Sequence, residues 1–423
     1  SGHGAAVGKD NWIVLVHGGL EGERVRVKIY RDGAGFSMAD LLEVLETSPI
    51  RVEPRCKHFK ECSVCTFQHV TYEEQLRRKH GVVKRAFDSL WKPPTIIDAD
   101  GNAKPVDTDA PVKVVKVQDV IPSPLQYGYR TKMTPHYPRR AAYQPLEKIG
   151  FNGRGSKSVV DIEECPIVTK EIEDDFKALR RELIGSTSPG FANGSTLSFR
   201  HSLVLPKLHP VQQYSGDLVD CVNNVKFTFP AHSFFQNNSS ILPEMTTYIR
   251  KCLRDTISAF GVNVLVDAYC GSGLFALSCA PDFEKVVGIE IDSKALDAAS
   301  KNALNNSIGN AIFIKGSAER IYDEAFEPEA HHTAVIMDPP SKGAGEDFMQ
   351  QLRQFNPKVI VYVSCNVHSQ TRDLASLLRR PAGHLRSIIR SEPKLYDIIH
   401  VQPFDMFPQT AQVENIAILV RRD

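Results

Sequence analysis

The chain has 423 residues, of which 42% are hydrophobic and 24% are charged, and its net charge is +1. This length favours two or three domains, and no apolar run of 18 or more residues predicts a membrane span. Nine cysteines, without a signal peptide, favour a reducing intracellular compartment (cytoplasm, nucleus or mitochondrion) over a disulfide-stabilised secreted protein.

Residues 11–47 alternate strand-like runs with glycines, from WIVLV through RVRVKIY to ADLLEVLE. This alternation predicts a small antiparallel β-barrel, which we place at residues 1–52. Small barrels often bind RNA, but a purely structural domain fits the pattern about as well. The opening Ser1-Gly2-His3 is typical of an expression-tag remnant, so we expect the natural protein to begin earlier.

A group of cysteines follows the predicted barrel. Cys56, Cys62 and Cys65 have the spacing C-x5-C-x2-C, and Cys165, which precedes Pro166, is the expected fourth ligand. Thiolates at such spacing suit zinc or an iron–sulfur cluster. Zinc sites more often show two C-x2-C pairs, so the pattern favours a [4Fe–4S] cluster. The alternative is four reduced thiols that bind no metal.

Residues 53–230 are predicted to form an α+β central domain. Thr71-Tyr72-Glu73-Glu74 is a capping box, and it starts a helix over 71–91 that is a candidate to dock on the catalytic domain. Residues 92–111 are rich in Pro, Asp and Gly and predict an exposed loop. Short strands and turns follow from residue 112, with one helix near 169–184.

Residues 231–423 alternate apolar strands with helical segments, starting with a helix around 240–260, which predicts a doubly wound parallel sheet. The strand Val262–Val266 leads into Asp267-Ala268-Tyr269-Cys270-Gly271-Ser272-Gly273. About twenty residues later, Glu290 ends the next strand, where an acid suits a ribose diol. This D-x-x-x-G-x-G form favours S-adenosylmethionine (SAM) over a dinucleotide, and Asp338-Pro339-Pro340 ends a later strand.

Cys365 ends another strand, in the stretch VIVYVSCNVHSQTRDL. A buried cysteine is usually only a small apolar residue. A cysteine at the carboxyl end of a strand in an α/β sheet lies where such folds bind their ligands. The position alone leaves both interpretations of Cys365 open.

Taken together, the motifs resemble those of RNA uracil-5-methyltransferases, and most closely the fungal tRNA branch of that family. The motifs that carry the resemblance are Ser233-Phe234-Phe235-Gln236-Asn237, Asp267 to Gly273, Asp338-Pro339-Pro340, Tyr362-Val363-Ser364-Cys365-Asn366, and Phe407-Pro408-Gln409-Thr410 with Val413-Glu414. The resemblance implies a SAM-dependent, Rossmann-like methyltransferase domain behind a TRAM/OB-type barrel and a cysteine-bearing central domain. It further implies that Cys365 is the nucleophile and Glu414 the general base. The implied SAM-binding residues are Gln236, Tyr269, Glu290 and Asp338.

The implied reaction is methyl transfer from SAM to C5 of a uridine in RNA, most closely a uridine of the tRNA T-loop, through a covalent adduct between Cys365 and C6. Relatives that act on ribosomal RNA hold a [4Fe–4S] cluster on the same cysteine pattern. The alternatives are methylation of ribosomal RNA and an RNA-binding or RNA-folding role with reduced methylation. Cytosine-5 methylation fits less well, because those relatives carry a second cysteine where this chain has Ser341. The family usually has Arg at that position, whereas here Ser341 is followed by Lys342.

Overall fold

The computed structural model describes residues 3–91, 95–97, 103–105, 115–202, 216–317, 329–378 and 395–422. The chain divides into two compact units. The first unit contains Ser1–Arg78, Leu125–Phe199 and Phe407–Ala411, and the second contains Lys79–Pro124, Arg200–Met406 and Gln412–Asp423. Within the described ranges, no helix is both long enough and apolar enough to cross a membrane.

Four strands open the first unit: β1 (His3–Val7), β2 (Ile13–His17), β3 (Arg24–Gly33) and β4 (Phe36–Glu46). They form one sheet in the order β1-β2-β4-β3. The pairs β1–β2 and β3–β4 are antiparallel, as predicted, but β2 pairs with β4 in parallel. The prediction of a wholly antiparallel arrangement is therefore wrong. The physical reason is that β3 carries the chain back to the end of the sheet where β2 began.

Helix α1 (Tyr72–Trp91) begins where the capping box predicts. The carboxylate of Glu74, however, accepts hydrogen bonds from Arg77 and Arg78. The Thr71 N–H donates to a carbonyl outside the helix. The sequence thus locates the start of the helix correctly. The capping box predicts that Glu74 bonds the backbone of Thr71, whereas in the structure Glu74 binds Arg77 and Arg78.

Most of the predicted loop at 92–111 lies outside the described residues. Its described parts are two short strands that pair antiparallel, β5 (Thr95–Ile97) and β6 (Ala103–Pro105).

The elements that follow contain one helix, α2 (Lys170–Leu183), close to the predicted 169–184. The short strands are β7 (Lys132–Met133), β8 (His136–Tyr137), β9 (Gly150–Asn152), β10 (Val159–Asp161), β11 (Ser195–Thr196) and β12 (Phe199–Arg200). Four of them form a sheet in the order β10-β9-β8-β11. Phe176 of α2 packs edge-on against Phe199 at 5.8 Å, so the apolar face of the helix is buried within the first unit.

The second unit contains a seven-stranded sheet with helices between its strands. The seven strands are β15 (Val264–Asp267), β16 (Lys285–Glu290), β17 (Ala311–Lys315), β18 (Thr333–Met337), β19 (Val359–Ser364), β20 (Tyr396–Phe404) and β21 (Glu414–Arg421). Before them, β13 (Asp217–Val222) and β14 (Val225–Pro230) form a separate two-stranded sheet. The helices of this unit are α3 (Leu242–Phe260), α4 (Leu274–Cys279), α5 (Ser293–Asn305), α6 (Glu346–Phe355) and α7 (Val367–Leu378).

The order of the large sheet is β17-β16-β15-β18-β19-β21-β20. The first five strands are parallel, and β21 is antiparallel to both of its neighbours. Strands β18, β19 and β21 are buried along their whole length, which explains the apolar runs in their sequences. This sheet confirms the predicted α/β class. The predicted domain limits after residues 52 and 230, and the docking of helix 71–91, stay predictions.

Candidate active site

The carboxyl ends of β15, β18 and β19 lie along one edge of the parallel sheet, which is where open α/β folds bind ligands. Asp267 ends β15, Asp338 follows β18 and Cys365 follows β19. Because β21 runs in the opposite direction, its first residue, Glu414, lies at this same edge, and the next residue pairs with the residue before Cys365. The topology therefore brings together four groups that are up to 147 positions apart in sequence.

Cys365 occupies the turn between β19 and α7, in a half-buried position. The Ser364 hydroxyl bonds the backbone of Asn366 at 3.1 Å, which closes the turn. The Asn366 side chain accepts the His368 N–H at 3.1 Å and so caps the start of α7. The thiol thus lies at the amino end of a 12-residue helix, whose dipole favours a thiolate.

The surroundings of the thiol have the opposite effect on its pKa. Burial, followed by the nearby carboxyls of Glu414 and Asp338, raises the pKa of Cys365 to about 12. Burial and Asp338 raise the pKa of the buried Glu414 well above its usual value, and burial raises the pKa of Asp338 to about 7. Cys365 and Glu414 therefore favour their protonated forms in the free protein at neutral pH, whereas Asp338 titrates near neutrality.

Gln236 lies beside Asp338, and its Nε2 donates to Asp338 Oδ2 at 3.4 Å. The segment that carries Gln236 is held by Arg200, which is only 3% exposed. The Arg200 guanidinium donates to the carbonyls of Ser233 at 2.6 Å and Phe235 at 3.0 Å. Sequence reasoning missed Arg200, because nothing near it in the sequence connects it to a motif more than thirty residues away.

The glycine turn after β15 is joined to Glu290 by hydrogen bonds. Glu290 Oε2 accepts the Gly271 N–H at 3.0 Å, and Oε1 accepts the Asp292 N–H at 2.8 Å. Gly271 and Gly273 have φ angles of 52° and 92°, a left-handed backbone that glycine adopts without a steric penalty. The turn and the acid of the second strand therefore form one cradle, as the sequence predicts.

Asp267 and Tyr269 flank that turn. Asp267 is fully buried, and its Oδ2 accepts the Ala276 N–H at 3.0 Å. Burial raises the pKa of Asp267 to about 7. Tyr269 is half-buried and packs edge-on against Phe348 at 5.4 Å. The sequence singled out Tyr269 but used Asp267 only as the start of the motif.

The loop after Asp338 places Ser341 and Lys342 at the surface. The Ser341 carbonyl accepts hydrogen bonds from Asn366 Nδ2 and Ser369 Oγ, both at 2.9 Å. Arg372 donates to the Lys342 carbonyl at 2.7 Å. The backbone of this loop is therefore fixed to α7, and a guanidinium lies beside the position where the resemblance leads us to expect an arginine.

The four cysteines of the predicted metal site line one pocket in the first unit, together with Phe59 and Gln68. Burial, and secondarily the charges of neighbouring thiols, raises the pKa values of Cys65 and Cys165 above the usual value. Arg154 donates to the Cys65 carbonyl at 2.6 Å. Among the described residues, no three His, Cys, Asp or Glu side chains are placed to hold a single metal ion.

Comparison with known proteins identifies the family to which the chain belongs. The family model described as tRNA (Uracil-5-)-methyltransferase matches residues 215–421. The tRNA (uracil(54)-C(5))-methyltransferase of Schizosaccharomyces pombe is 36% identical over 430 residues, covering 97% of this chain and 74% of that protein. The enzyme of the same name from Saccharomyces cerevisiae is 32% identical and covers 97% of this chain and 69% of that protein. The chain belongs to the tRNA (uracil-5-)-methyltransferase family.

A solved structure agrees with this assignment at the level of the fold. The Pyrococcus abyssi tRNA (uracil-54, C5)-methyltransferase, in complex with S-adenosyl-L-homocysteine, has a TM-score of 0.65 and is 21% identical. The match covers 99% of this chain and all of that one. Family membership confirms the resemblance and the prediction that this chain is a methyltransferase. The roles predicted for Cys365, Glu414 and the other site residues stay predictions.

Proposed function

We propose that this protein transfers a methyl group from SAM to C5 of a uridine in tRNA. The observation that carries the proposal is the placement of Cys365 and Glu414 at the same edge of the sheet, although they come from strands of opposite direction. The two fungal relatives are named for uracil 54, so we propose the corresponding T-loop uridine as the target and the T-arm as the bound RNA.

The chemistry requires a nucleophile and a base. C5 of uracil is too electron-poor to attack a methyl donor, so Cys365, after losing its proton to solvent, adds through Sγ to C6 and makes C5 an enolate carbon. The enolate carbon attacks the methyl group of SAM, so that the C5–CH3 bond forms while the S–CH3 bond breaks and S-adenosylhomocysteine leaves. Glu414, once it has lost its own proton to solvent, takes the C5 proton, the bond between Sγ and C6 breaks, and the thiolate is restored. The proton passes from Glu414 to solvent.

We propose Gln236, Tyr269, Glu290 and Asp338 as the residues that hold SAM. The cradle fits such a ligand because the left-handed Gly271 and Gly273 carry no side chain at the turn. The Glu290 carboxylate is fixed at the strand end by two backbone N–H groups, in the place where α/β folds bind a ribose.

We also propose that Cys56, Cys62, Cys65 and Cys165 hold a [4Fe–4S] cluster. Four thiols around one pocket fit a polynuclear cluster, whereas a single zinc ion requires all of its sulfur ligands within about 2.3 Å of one point. The cluster would connect the loop at 56–65 to Cys165 and lies outside the chemistry of methyl transfer. Anaerobic purification and metal analysis should find about four irons per chain. One zinc per chain, or no metal, would exclude the cluster.

The methylation proposal is tested with a T-arm RNA that carries 5-fluorouridine at the target position. Fluorine cannot be removed as a cation, so the Cys365 adduct should persist on a denaturing gel in the presence of SAM. Cys365→Ala should abolish the adduct, and Cys221→Ala, at an exposed cysteine on β13, is the matched control. An adduct that survives in Cys365→Ala would overturn the assignment. A ribosomal RNA fragment labelled in the same way tests the alternative substrate.

A further inference from the structure

The connection between β20 and β21 leads directly into Glu414. Phe404, the last residue of β20, pairs with Glu414, the first residue of β21. Between them the chain leaves the second unit: Phe407–Ala411 belongs to the first unit, whereas Met406 and Gln412 belong to the second. Glu414 is paired with Phe404 in the sheet, and this nine-residue connection determines the path by which the chain reaches it.

Gln75, on α1, holds the middle of the connection. Its side chain is 1% exposed. Gln75 Nε2 donates to Gln409 Oε1 at 3.0 Å, and Gln75 Oε1 accepts the Gln409 N–H at 3.0 Å. The same Nε2 also lies 3.2 Å from the Phe67 carbonyl and 3.0 Å from the Val70 carbonyl. One amide thus binds both the connection and the segment that ends at α1.

Gln409 has an unusual backbone for its residue type. Its φ is 67°, in the left-handed region, which is unfavourable for a non-glycine residue. Its carbonyl accepts the N–H groups of Thr66 at 3.0 Å and Phe67 at 2.9 Å. A residue is kept in this conformation only where its surroundings fix it, so the bonds to Gln75 and to residues 66–67 determine the path of the connection.

Lys79 holds the beginning of the connection, within the second unit. Its ammonium forms an ion pair with Asp405, and both side chains are fully buried. Lys79 follows Gln75 by four residues on α1, which is one helical turn on the same face. A buried ion pair contributes more to defining a position than to net stability. Helix α1 therefore binds the connection at two points, Asp405 and Gln409.

We propose that Gln75 is a positioning residue for Glu414, and that α1 acts through Gln75 and Lys79 as a clamp on the connection from β20 to β21. A general base must lie within hydrogen-bond reach of the proton that it removes. A displacement of about 1 Å costs on the order of a hundredfold in rate. This inference rests on the proposed role of Glu414 in the final step of methyl transfer.

The test uses T-arm RNA without fluorine, together with SAM. On this RNA the methylated adduct with Cys365 accumulates only when removal of the C5 proton is slow. Gln75→Leu should lower turnover by about tenfold or more and accumulate this adduct on a denaturing gel. Formation of the 5-fluorouridine adduct does not need the base, so its rate should stay within about threefold of the wild-type rate. Glu414→Gln provides the reference for a lost base.

Two further variants separate positioning from folding. Asn310→Ala is the control, because it also removes a partly buried contact, a side-chain amide that donates to two backbone carbonyls. Asn310 precedes β17, at the end of the sheet opposite to β20, so this variant should behave as wild type. Gln409→Gly favours the left-handed backbone and removes only the side chain, so it should accumulate the adduct without loss of thermal stability.

The proposal is overturned if Gln75→Leu and Gln409→Gly turn over at the wild-type rate. It is also overturned if both lose adduct formation and turnover in equal proportion, since that is the behaviour of a smaller folded fraction. If Glu414→Gln itself accumulates no adduct, the assignment of the base fails, and the positioning role of Gln75 fails with it.

Discussion

The reactive groups at the sheet edge are held in an environment that suppresses their charges. Cys365, Glu414 and Asp338 come from three neighbouring strands. Burial raises the pKa of each group, and the neighbouring carboxyls raise the pKa values of Cys365 and Glu414 further. The helix dipole of α7 and a backbone hydrogen bond to the thiol favour the thiolate. The protein therefore holds its nucleophile in a resting form, and the active thiolate has to be produced at the start of each reaction.

This arrangement predicts a pH dependence for the first covalent step. Because the pKa of Cys365 is raised to about 12, the thiolate fraction increases with pH throughout the neutral range. Formation of the 5-fluorouridine adduct should accelerate by about tenfold per pH unit between about pH 6 and 8, measured under saturating RNA and SAM. A rate that does not change over this range would show that the thiolate is already formed at rest.

Gly343 offers a test of the loop that follows Asp338. Its φ is 91°, and a Cβ at this position would lie 2.4 Å from Arg372 Nη2 and 2.5 Å from Asp373 Oδ2. Gly343→Ala should therefore cost about 1–3 kcal/mol in the free energy of unfolding and should slow adduct formation. The control is Gly309→Ala, where a Cβ meets nothing within 4 Å. Equal denaturation midpoints for the two variants would contradict this reading.

At the scale of elements, the segment Ser233–Asn237 depends on a residue outside it. Arg200 binds two of its carbonyls, and burial lowers the pKa of Arg200 to about 10, so the guanidinium remains charged at neutral pH. Removing the guanidinium leaves the carbonyls of Ser233 and Phe235 without their charged donor, which lowers the free energy of unfolding. The segment carries Gln236, and through it the contact to Asp338.

Arg200→Met should reduce both stability and adduct formation, by about 2–4 kcal/mol and more than tenfold respectively. Arg200→Lys keeps the charge and one donor direction, so it should recover part of the adduct rate per folded molecule. Denaturant titration and the 5-fluorouridine gel measure the two effects. If Arg200→Met loses stability but forms the adduct at the wild-type rate per folded molecule, Arg200 does not position the segment.

Elements with strong local signals were predictable from the sequence. The apolar runs that became β15, β18 and β19 identified a parallel sheet, and the residues that follow them identified its binding edge. The parallel pairing of β2 with β4 was not predictable, because the pattern of alternation is the same in both strand directions. The partners of Glu74 were also missed, since two arginines a turn away compete with the helix cap. Side-chain clamps such as Arg200 and Gln75 act over long sequence distances and leave no local pattern.

At the scale of the whole molecule, the two units are discontinuous in sequence. The predicted domains were consecutive segments, because composition and pattern change only along the chain. The structure places Phe407–Ala411 in the first unit and its neighbours on both sides in the second. Tertiary contacts determine that a short segment belongs to another unit than its neighbours in sequence. A local sequence pattern carries no information on such contacts.

The buried acids of the second unit also make the stability of the molecule depend on pH. Burial raises the pKa of Asp267 from 3.8 to about 7, so the folded state binds its proton more tightly than the unfolded state. The stabilising contribution is therefore complete below about pH 4 and is lost as pH rises to about 7, with a slope of at most about 1.4 kcal/mol per pH unit.

Asp267→Asn isolates this contribution, because asparagine keeps an acceptor for the Ala276 N–H but does not titrate. The difference in unfolding free energy between wild type and Asp267→Asn should shift in favour of the variant as pH rises from 4.5 to 7, and should then become constant. Denaturant titrations of the two proteins at each pH measure this difference. Taking the difference cancels titrations elsewhere, such as that of His400, whose pKa burial lowers. A difference that stays constant from pH 4.5 to 8 would show that Asp267 is ionised in the folded protein.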